Sequence, residues 1–429
     1  MTERVSRLGR WLITGEVRWR QNRQIAAIYR SFRVILPLVV LGTLADFVNQ
    51  AWLEPTGYYY RTLHVTDWLL QRVRLQQITL LLQAGAFGMA TLGAAFVVAY
   101  QLVATATPQT NDRLTAGFVG VLGLELINVN PLTLAVTRPI QWVAMDLGLR
   151  SLVLGLLMGL IVGNAYRWGV LRWRQPENDL VRPMTFSLVG MLVAAGVAAY
   201  WLMRQPFSLH ATFMAIMRAP LQLTNDVWRL IDFSILNGLF AWGGSLGPIP
   251  SSGSQSLVAG ENLAAVLTTS GWHLPHPLTE QTVIQTYVNM GGPGMTLGLL
   301  VAIFLGRRNA AQRRIGWLSL VPVLGNFNAP LLLGLPVVLS PILGIPLLLA
   351  PVACIGTSCL FLGLHWVPAT AYPLLTGTPG PLLAFLGTSG AWTPVLLAGV
   401  NLVLSTAIYY PFVKWANLAD RLVKQGEAS

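Results

Sequence analysis

From Ile315 to Val413 the chain contains no Asp, Glu, Lys or Arg. A water-facing surface of that length carries charge, so this stretch belongs in lipid or inside a membrane-embedded bundle. The run is also broken. Asn326, Asn328, Pro330, Gly334 and Pro336 interrupt it, and further prolines follow at 341, 346, 368, 373, 379 and 381. Upstream, a Gly-Gly-Pro-Gly turn at 291–294 opens an apolar segment that closes on Arg307, Arg308, Arg313 and Arg314. Pro and Asn inside an apolar segment free backbone groups that need partners. In a membrane such breaks are tolerated where they line a cavity or are covered by protein, and discontinuous segments point to transporter binding sites.

The rest of the chain has the same character. It is 54% hydrophobic and 10% charged, where soluble chains carry about 25% charged residues; its mean hydropathy is +0.58. The expected fold is an all-α polytopic membrane protein with roughly ten transmembrane helices of about 20 residues and two re-entrant hairpins. The formal charge is +12, but the basic residues cluster at the ends of apolar runs. That pattern sets orientation and meets anionic lipid; nucleic acid is not expected as a partner. Cys354 and Cys359 lie in an apolar run and read as packed thiols. His273, His276, Glu261 and Glu280 form the one metal-like grouping. Pro275 between the histidines prevents a helical ligand face, so this segment reads as a loop or re-entrant hairpin, with no metal or cofactor.

Residues 1–33 hold eight arginines interleaved with Trp11, Leu12, Ile13 and Trp19. They read as a cytoplasmic, membrane-surface amphipathic segment, too long and too basic for a cleavable leader. Spans are expected near 34–51, 78–104, 114–136, 147–168 and 185–203. The loop after the first carries Tyr58, Tyr59, Tyr60 and Trp68 together with Arg61, Arg72 and Arg74, charges that fit an external loop poorly. Glu125 in the third span is an intramembrane acid, a functional candidate by type; its neighbours Asn128, Asn130 and Pro131 favour a structural role near the interface. Asp146 and Arg150, four apart, read as a structural pair. The last span, near 393–411, ends in Lys414, Arg421 and Lys424, which places the C-terminus inside.

The segments NMGGPGMTLGLLVAI (289–303), NFNAPLLLGLPVVLSPILGIP (326–346), FLGTSGAW (385–392) and NLVLSTAIYYPFVKW (401–415) resemble the membrane component, IIC, of the lactose/cellobiose family of the phosphoenolpyruvate-dependent sugar phosphotransferase system. The resemblance is specific over the last 150 or so residues and looser upstream, at 147–168 and 36–48. It implies an N-terminal dimerisation half (34–203), an amphipathic linker helix (204–232), a C-terminal sugar-binding half (233–413) with the hairpins, and a cytoplasmic tail (414–429). It also implies a homodimer in the bacterial plasma membrane, both termini cytoplasmic, carrying an oligosaccharide by elevator-like movement. A cytosolic IIB cysteine would donate phosphate; no IIA or IIB sequence is fused to this chain, so both are expected as separate proteins.

Carried over residue by residue, the resemblance nominates Asn289, Gly291, Gly292, Thr296, Asn326, Asn328, Ala329, Leu246, Thr388 and Ser389 as the substrate site. Two of these depart from the family. The family's Glu before the proline of N-x-N-E-P is Ala329 here, and the His of its G-I-H-G motif aligns with Leu246. Neither side chain takes up a proton or makes a charge-assisted hydrogen bond, and no catalytic residue is assigned. Ala369 stands where a family tryptophan would stack on the sugar. His365 is the one imidazole in the uncharged stretch and reads as packing. The remaining polar groups, Asn289, Thr296, Asn326, Asn328, Thr376, Thr388 and Ser389, either bond a polyol or satisfy the broken backbone. Two functions follow: a IIC-type sugar permease, or a degenerate relative without phosphotransfer that serves as sensor, scaffold or facilitator. An ion-coupled carrier is disfavoured, because the presumed binding half lacks an intramembrane acid.

Overall fold

The computed structural model describes residues 7–128, 147–172, 226–247, 253–268, 274–306 and 309–428, with short pieces between 185 and 200. Helices and turns make up these residues, with one isolated bridge between Gly57 and Thr376. Parts of the expected fifth span and most of the linker, along with Asp146 and His273, lie outside the described residues.

Helix α1 (Arg7–Gln21) is amphipathic. It buries Leu12, Ile13 and Glu16 and exposes Arg7, Arg10, Trp11 and Arg18. Asn22 ends it and caps the next helix, its side-chain oxygen accepting from the Gln24 amide at 2.9 Å. That cap starts α2 (Arg23–Val48) well before the expected Val34. The helix runs on into a π-helical turn, Asn49–Leu53. The aromatic loop follows, and its out-of-place arginines are tied down: Arg61 donates to the Pro55 carbonyl at 2.9 Å and Arg72 to that of Leu53 at 2.6 Å.

Helices α3 (Arg72–Ala104), α4 (Thr110–Ile127) and α5 (Leu152–Arg172) complete the described N-terminal half. Small residues bring α3 and α5 together. A Cβ at Gly155 would lie 2.4 Å from the Thr91 carbonyl oxygen, one at Gly159 2.8 Å from that of Ala95, and one at Gly163 2.9 Å from the Ala99 Cα. Without water to drive burial, close backbone approach of this kind supplies the dispersion energy that holds membrane helices together.

The C-terminal half is more broken. α6 (Asp226–Gly243) runs across the boundary expected at 232, and α7 (Gly253–Thr268) occupies sequence that reads as a polar turn and loop. A π-helix, Glu280–Val288, leads to the glycine turn. Then come α8 (Thr296–Leu305), α9 (Ala310–Leu324), α10 (Ala329–Gly334), α11 (Pro341–Gly363), α12 (Gly380–Gly387) and α13 (Trp392–Ala428). Helices α8, α10 and α12 have 10, 6 and 8 residues. At about 1.5 Å per residue each reaches half the hydrocarbon core or less, as broken re-entrant segments must. Five helices among the described residues are long and apolar enough to cross a bilayer: 23–53, 72–104, 149–172, 341–363 and 392–425.

Helix α1 is docked on the C-terminal half. Glu16, fully buried, accepts from the Ser340 hydroxyl at 2.9 and 3.0 Å, from the Ile342 amide at 3.1 Å and from Arg20 Nε at 2.6 Å. The carboxylate therefore sits on the free amides at the start of α11, where the helix dipole favours negative charge. Arg20 also pairs with Asp420 on α13. Burial pulls the Arg20 pKa down, and the two carboxylates raise it past its ordinary value. Trp19 donates to the Leu339 carbonyl at 2.7 Å.

Candidate functional site

Three non-helical turns meet where the short helices start and stop. The first is Gly291–Gly294, with all three glycines at positive φ (84°, 98° and 90°). The second is 325–328, where Asn326 adopts φ 73°. The third is 375–378. Asn326 laces them: its side-chain oxygen accepts from the Gly291 amide at 2.8 Å, and its amide nitrogen donates to the Thr378 carbonyl at 3.1 Å. Asn328 donates to the Pro293 carbonyl at 2.8 Å. The Thr296 hydroxyl donates to the Gly291 carbonyl and that of Tyr409 to Gly294 at 2.6 Å. A Cβ at Gly292 would come within 2.9 Å of the Asn328 side chain, so the close approach needs glycine twice over, for space and for φ. These bonds supply the partners that broken backbone requires in a membrane.

The turns bound a cavity of about 620 Å³. That volume lies within the range of about 300–1,000 Å³ common for small-molecule sites. Five nominated residues line it: Leu246, Asn289, Asn326, Asn328 and Ala329. Gly291, Gly292 and Thr296 form the turn that positions them. Thr388 and Ser389 are not among the lining residues. Thr388 spends its hydroxyl on the Ala384 carbonyl at 2.7 Å, and Ser389 takes a left-handed backbone (φ 56°) just past α12. His365 is exposed in the loop past α11, away from the cavity. Glu261 and His276 pair with each other at 2.9 Å, both exposed, and the described residues contain no cluster of three or more metal-ligating groups.

A family model described as "Phosphotransferase system, EIIC" matches residues 30–351, three quarters of the chain and most of the cavity lining. The chain belongs to this family. It is an EIIC membrane component, a permease of the sugar phosphotransferase system. Among relatives, it is 26% identical to a cellobiose-specific EIIC component of Geobacillus stearothermophilus over 91% of this chain and 89% of that one. It is 23% identical to a lactose-specific EIICB component of Lacticaseibacillus casei over 92% of this chain and 68% of that one. A crystal structure of the transporter ChbC, the IIC component of an N,N'-diacetylchitobiose-specific phosphotransferase system, is similar over 97% of this chain and 99% of that one, at 22% identity and a TM-score of 0.43.

The EIIC cavity also has walls that the resemblance does not nominate. Asp46 and Gln50 at the end of α2, Gln83 and Phe87 on α3, and Arg150 before α5 bring the N-terminal half to it. Asp46 accepts from Gln50 Nε2. Arg150, read from sequence as half of a structural pair with Asp146, lines the cavity. From the C-terminal half come Glu280 and Gln285 on the π-helix. Glu280 thus puts a carboxylate of the C-terminal half on the cavity wall. It was missed because Pro275, Pro277 and the histidines make its segment read as a surface loop. Asp46 carried a readable signal, a lone carboxylate in an apolar span. Glu125 carried the same signal and does not line the cavity.

Proposed function

We propose that this EIIC permease carries neutral β-linked disaccharides of the cellobiose/lactose class through the 620 Å³ cavity, by movement of the C-terminal half against an N-terminal half paired in a homodimer. It works in the bacterial plasma membrane with both termini cytoplasmic, among anionic lipids, and with separate IIA and IIB proteins as phosphate donors. One observation carries the reading: two of the segments that resemble the family, 289–303 and 326–346, meet at one cavity lined by amides, carboxylates and aromatic rings. That mixture suits a polyol with apolar ring faces. The specificities of the relatives, cellobiose and lactose, support the substrate class. The basic clusters at 1–33 and 414–429 support the orientation.

A second reading is a facilitator or scaffold that binds sugar without phosphotransfer. It is favoured by the two apolar side chains, Leu246 and Ala329, that line the cavity where the family resemblance implies His and Glu. One assay separates the readings: uptake of labelled cellobiose into inverted or right-side-out vesicles, with purified IIA and IIB, with and without phosphoenolpyruvate. Phosphoenolpyruvate-dependent accumulation of cellobiose phosphate supports the permease with phosphotransfer. Equilibrating uptake of free cellobiose supports the facilitator, and no uptake of cellobiose or lactose under either condition refutes the substrate class.

A further inference from the structure

Two of the amides nominated from sequence are tied to the protein itself. Asn326 uses both ends of its side chain on Gly291 and Thr378, and Asn328 donates to Pro293. A ligand in the cavity therefore also meets groups elsewhere on its wall. Among the acceptors there are the carboxylates of Asp46 and Glu280 and the side-chain oxygen of Gln83. We propose that Asp46 and Glu280, brought to one cavity by the two halves of the chain, grip substrate hydroxyls, and that selectivity is set jointly by both halves.

Local structure fixes each carboxylate. Asp46 stands on α2 one residue before Phe47, whose ring meets Phe327 edge-on at 6.0 Å. Phe47 also fills the space beside Gly325, where a Cβ would lie 2.5 Å from the ring. Just past α2, in the π-helical turn, Ala51 packs on Gly377, leaving 2.3 Å between its Cβ and one built on the glycine. The end of α2 is thus pressed into two of the three turns that bound the cavity. Gln50 donates to one Asp46 oxygen, and a carboxylate has about four lone-pair sites, so acceptor capacity remains. Glu280 opens the π-helix immediately after Thr279, which forms a reciprocal cap with Thr282 at 2.8 and 3.1 Å. The Gln83 oxygen is buried and has no hydrogen-bond partner among the described residues. An orphaned acceptor on a cavity wall is satisfied by a ligand that donates. These acceptors suit a donor-rich ligand, and a sugar presents a hydroxyl on nearly every carbon.

The inference rests on the cavity being the sugar site, and the experiment separates the two. The full chain is reconstituted in nanodiscs and titrated calorimetrically with cellobiose, lactose and N,N'-diacetylchitobiose. Asp46→Asn and Glu280→Gln keep the size of each side chain and remove the charge. Each is expected to weaken binding of the preferred disaccharide about ten- to a hundred-fold, the worth of a charge-assisted hydrogen bond. A structural role would weaken all ligands alike, so monodeoxy cellobioses are titrated too. For one of them Asp46→Asn and the unaltered protein should bind equally, because the hydroxyl that Asp46 holds is already gone. Gln83→Leu reads the same wall independently should Asp46→Asn not fold. Disaccharide binding that neither carboxylate variant changes overturns this inference and leaves the proposed function standing. Absence of binding by all three disaccharides overturns both.

Discussion

Replacing Glu16 by Ala should release α1 from the C-terminal half. Glu16 is fully buried and holds the Ser340 hydroxyl, the Ile342 amide and Arg20, which in turn pairs with Asp420 on α13. Alanine leaves Arg20, with only 9% of its side chain exposed, short of one of its two carboxylates, and leaves the Ile342 amide unpaired at the start of α11. Breaking one partner of a buried pair costs about 3–5 kcal/mol. If α1 opens as a unit at Asn22, its undocked fraction rises about a hundred- to several-thousand-fold. Arg18, Arg20 and Arg23 make that fraction measurable. Trypsin cuts the opened segment, and when closing is faster than cutting the rate follows the open population. The comparison is made in nanodiscs at low trypsin, with cleavage after residues 18–23 followed by mass spectrometry. A control variant, Arg10→Gln, on the exposed face of α1, should leave the rate within about threefold. Cleavage of Glu16→Ala at the unaltered protein's rate would refute the claim that this ionic network holds the helix down. Salt gives a second check: a buried network should resist screening, whereas a surface pair weakens within a Debye length of about 8 Å at physiological ionic strength.

Other consequences can be tested with single substitutions. Asn326→Leu strands the Gly291 amide and the Thr378 carbonyl, about 1–3 kcal/mol for each buried group; the expected readout is a lower melting temperature together with lost sugar binding. Gly292→Ala meets the Asn328 side chain and forces φ 98° on a residue with a Cβ, so about 1–3 kcal/mol of strain should lower thermal stability, while Gly15→Ala, in open space on α1, should not. Restoring Ala329→Glu and Leu246→His together should tighten cellobiose binding and raise any phosphoenolpyruvate-dependent product; no change in either would detach those two positions from the family's chemistry. Gly159→Leu, forced onto the α3 backbone at Ala95, should separate α3 from α5 and abolish a monodisperse elution profile.

The legible part of this protein was local. The charge-free run, the Arg clusters and the Pro, Gly and Asn breaks each act within a few residues, because a bilayer demands apolar spans and a broken helix demands partners for its own backbone. Membership of the EIIC family was legible for the same reason, carried by contiguous segments such as 289–303 and 326–346. Helix starts were less so. The Asn22 cap moved the first span eleven residues upstream of Val34, since a cap outweighs the charge of the residues that follow it.

What the sequence by itself determined is an all-α membrane chain with its interruptions clustered at 291–294, 325–336 and 368–381. Tertiary structure alone decided which polar groups those interruptions consume and which they leave for a ligand. Asn326 and Thr388 look alike in a list of candidates, yet one stitches three turns around the cavity and the other is spent on its own helix. Asp46 and Glu280 lie 234 positions apart in the chain, and Glu16 lies 324 positions from Ser340. Side chains so distant in sequence share a site only through packing. A hydrogen-bonding group is available or spent according to its three-dimensional neighbours, which no local pattern encodes.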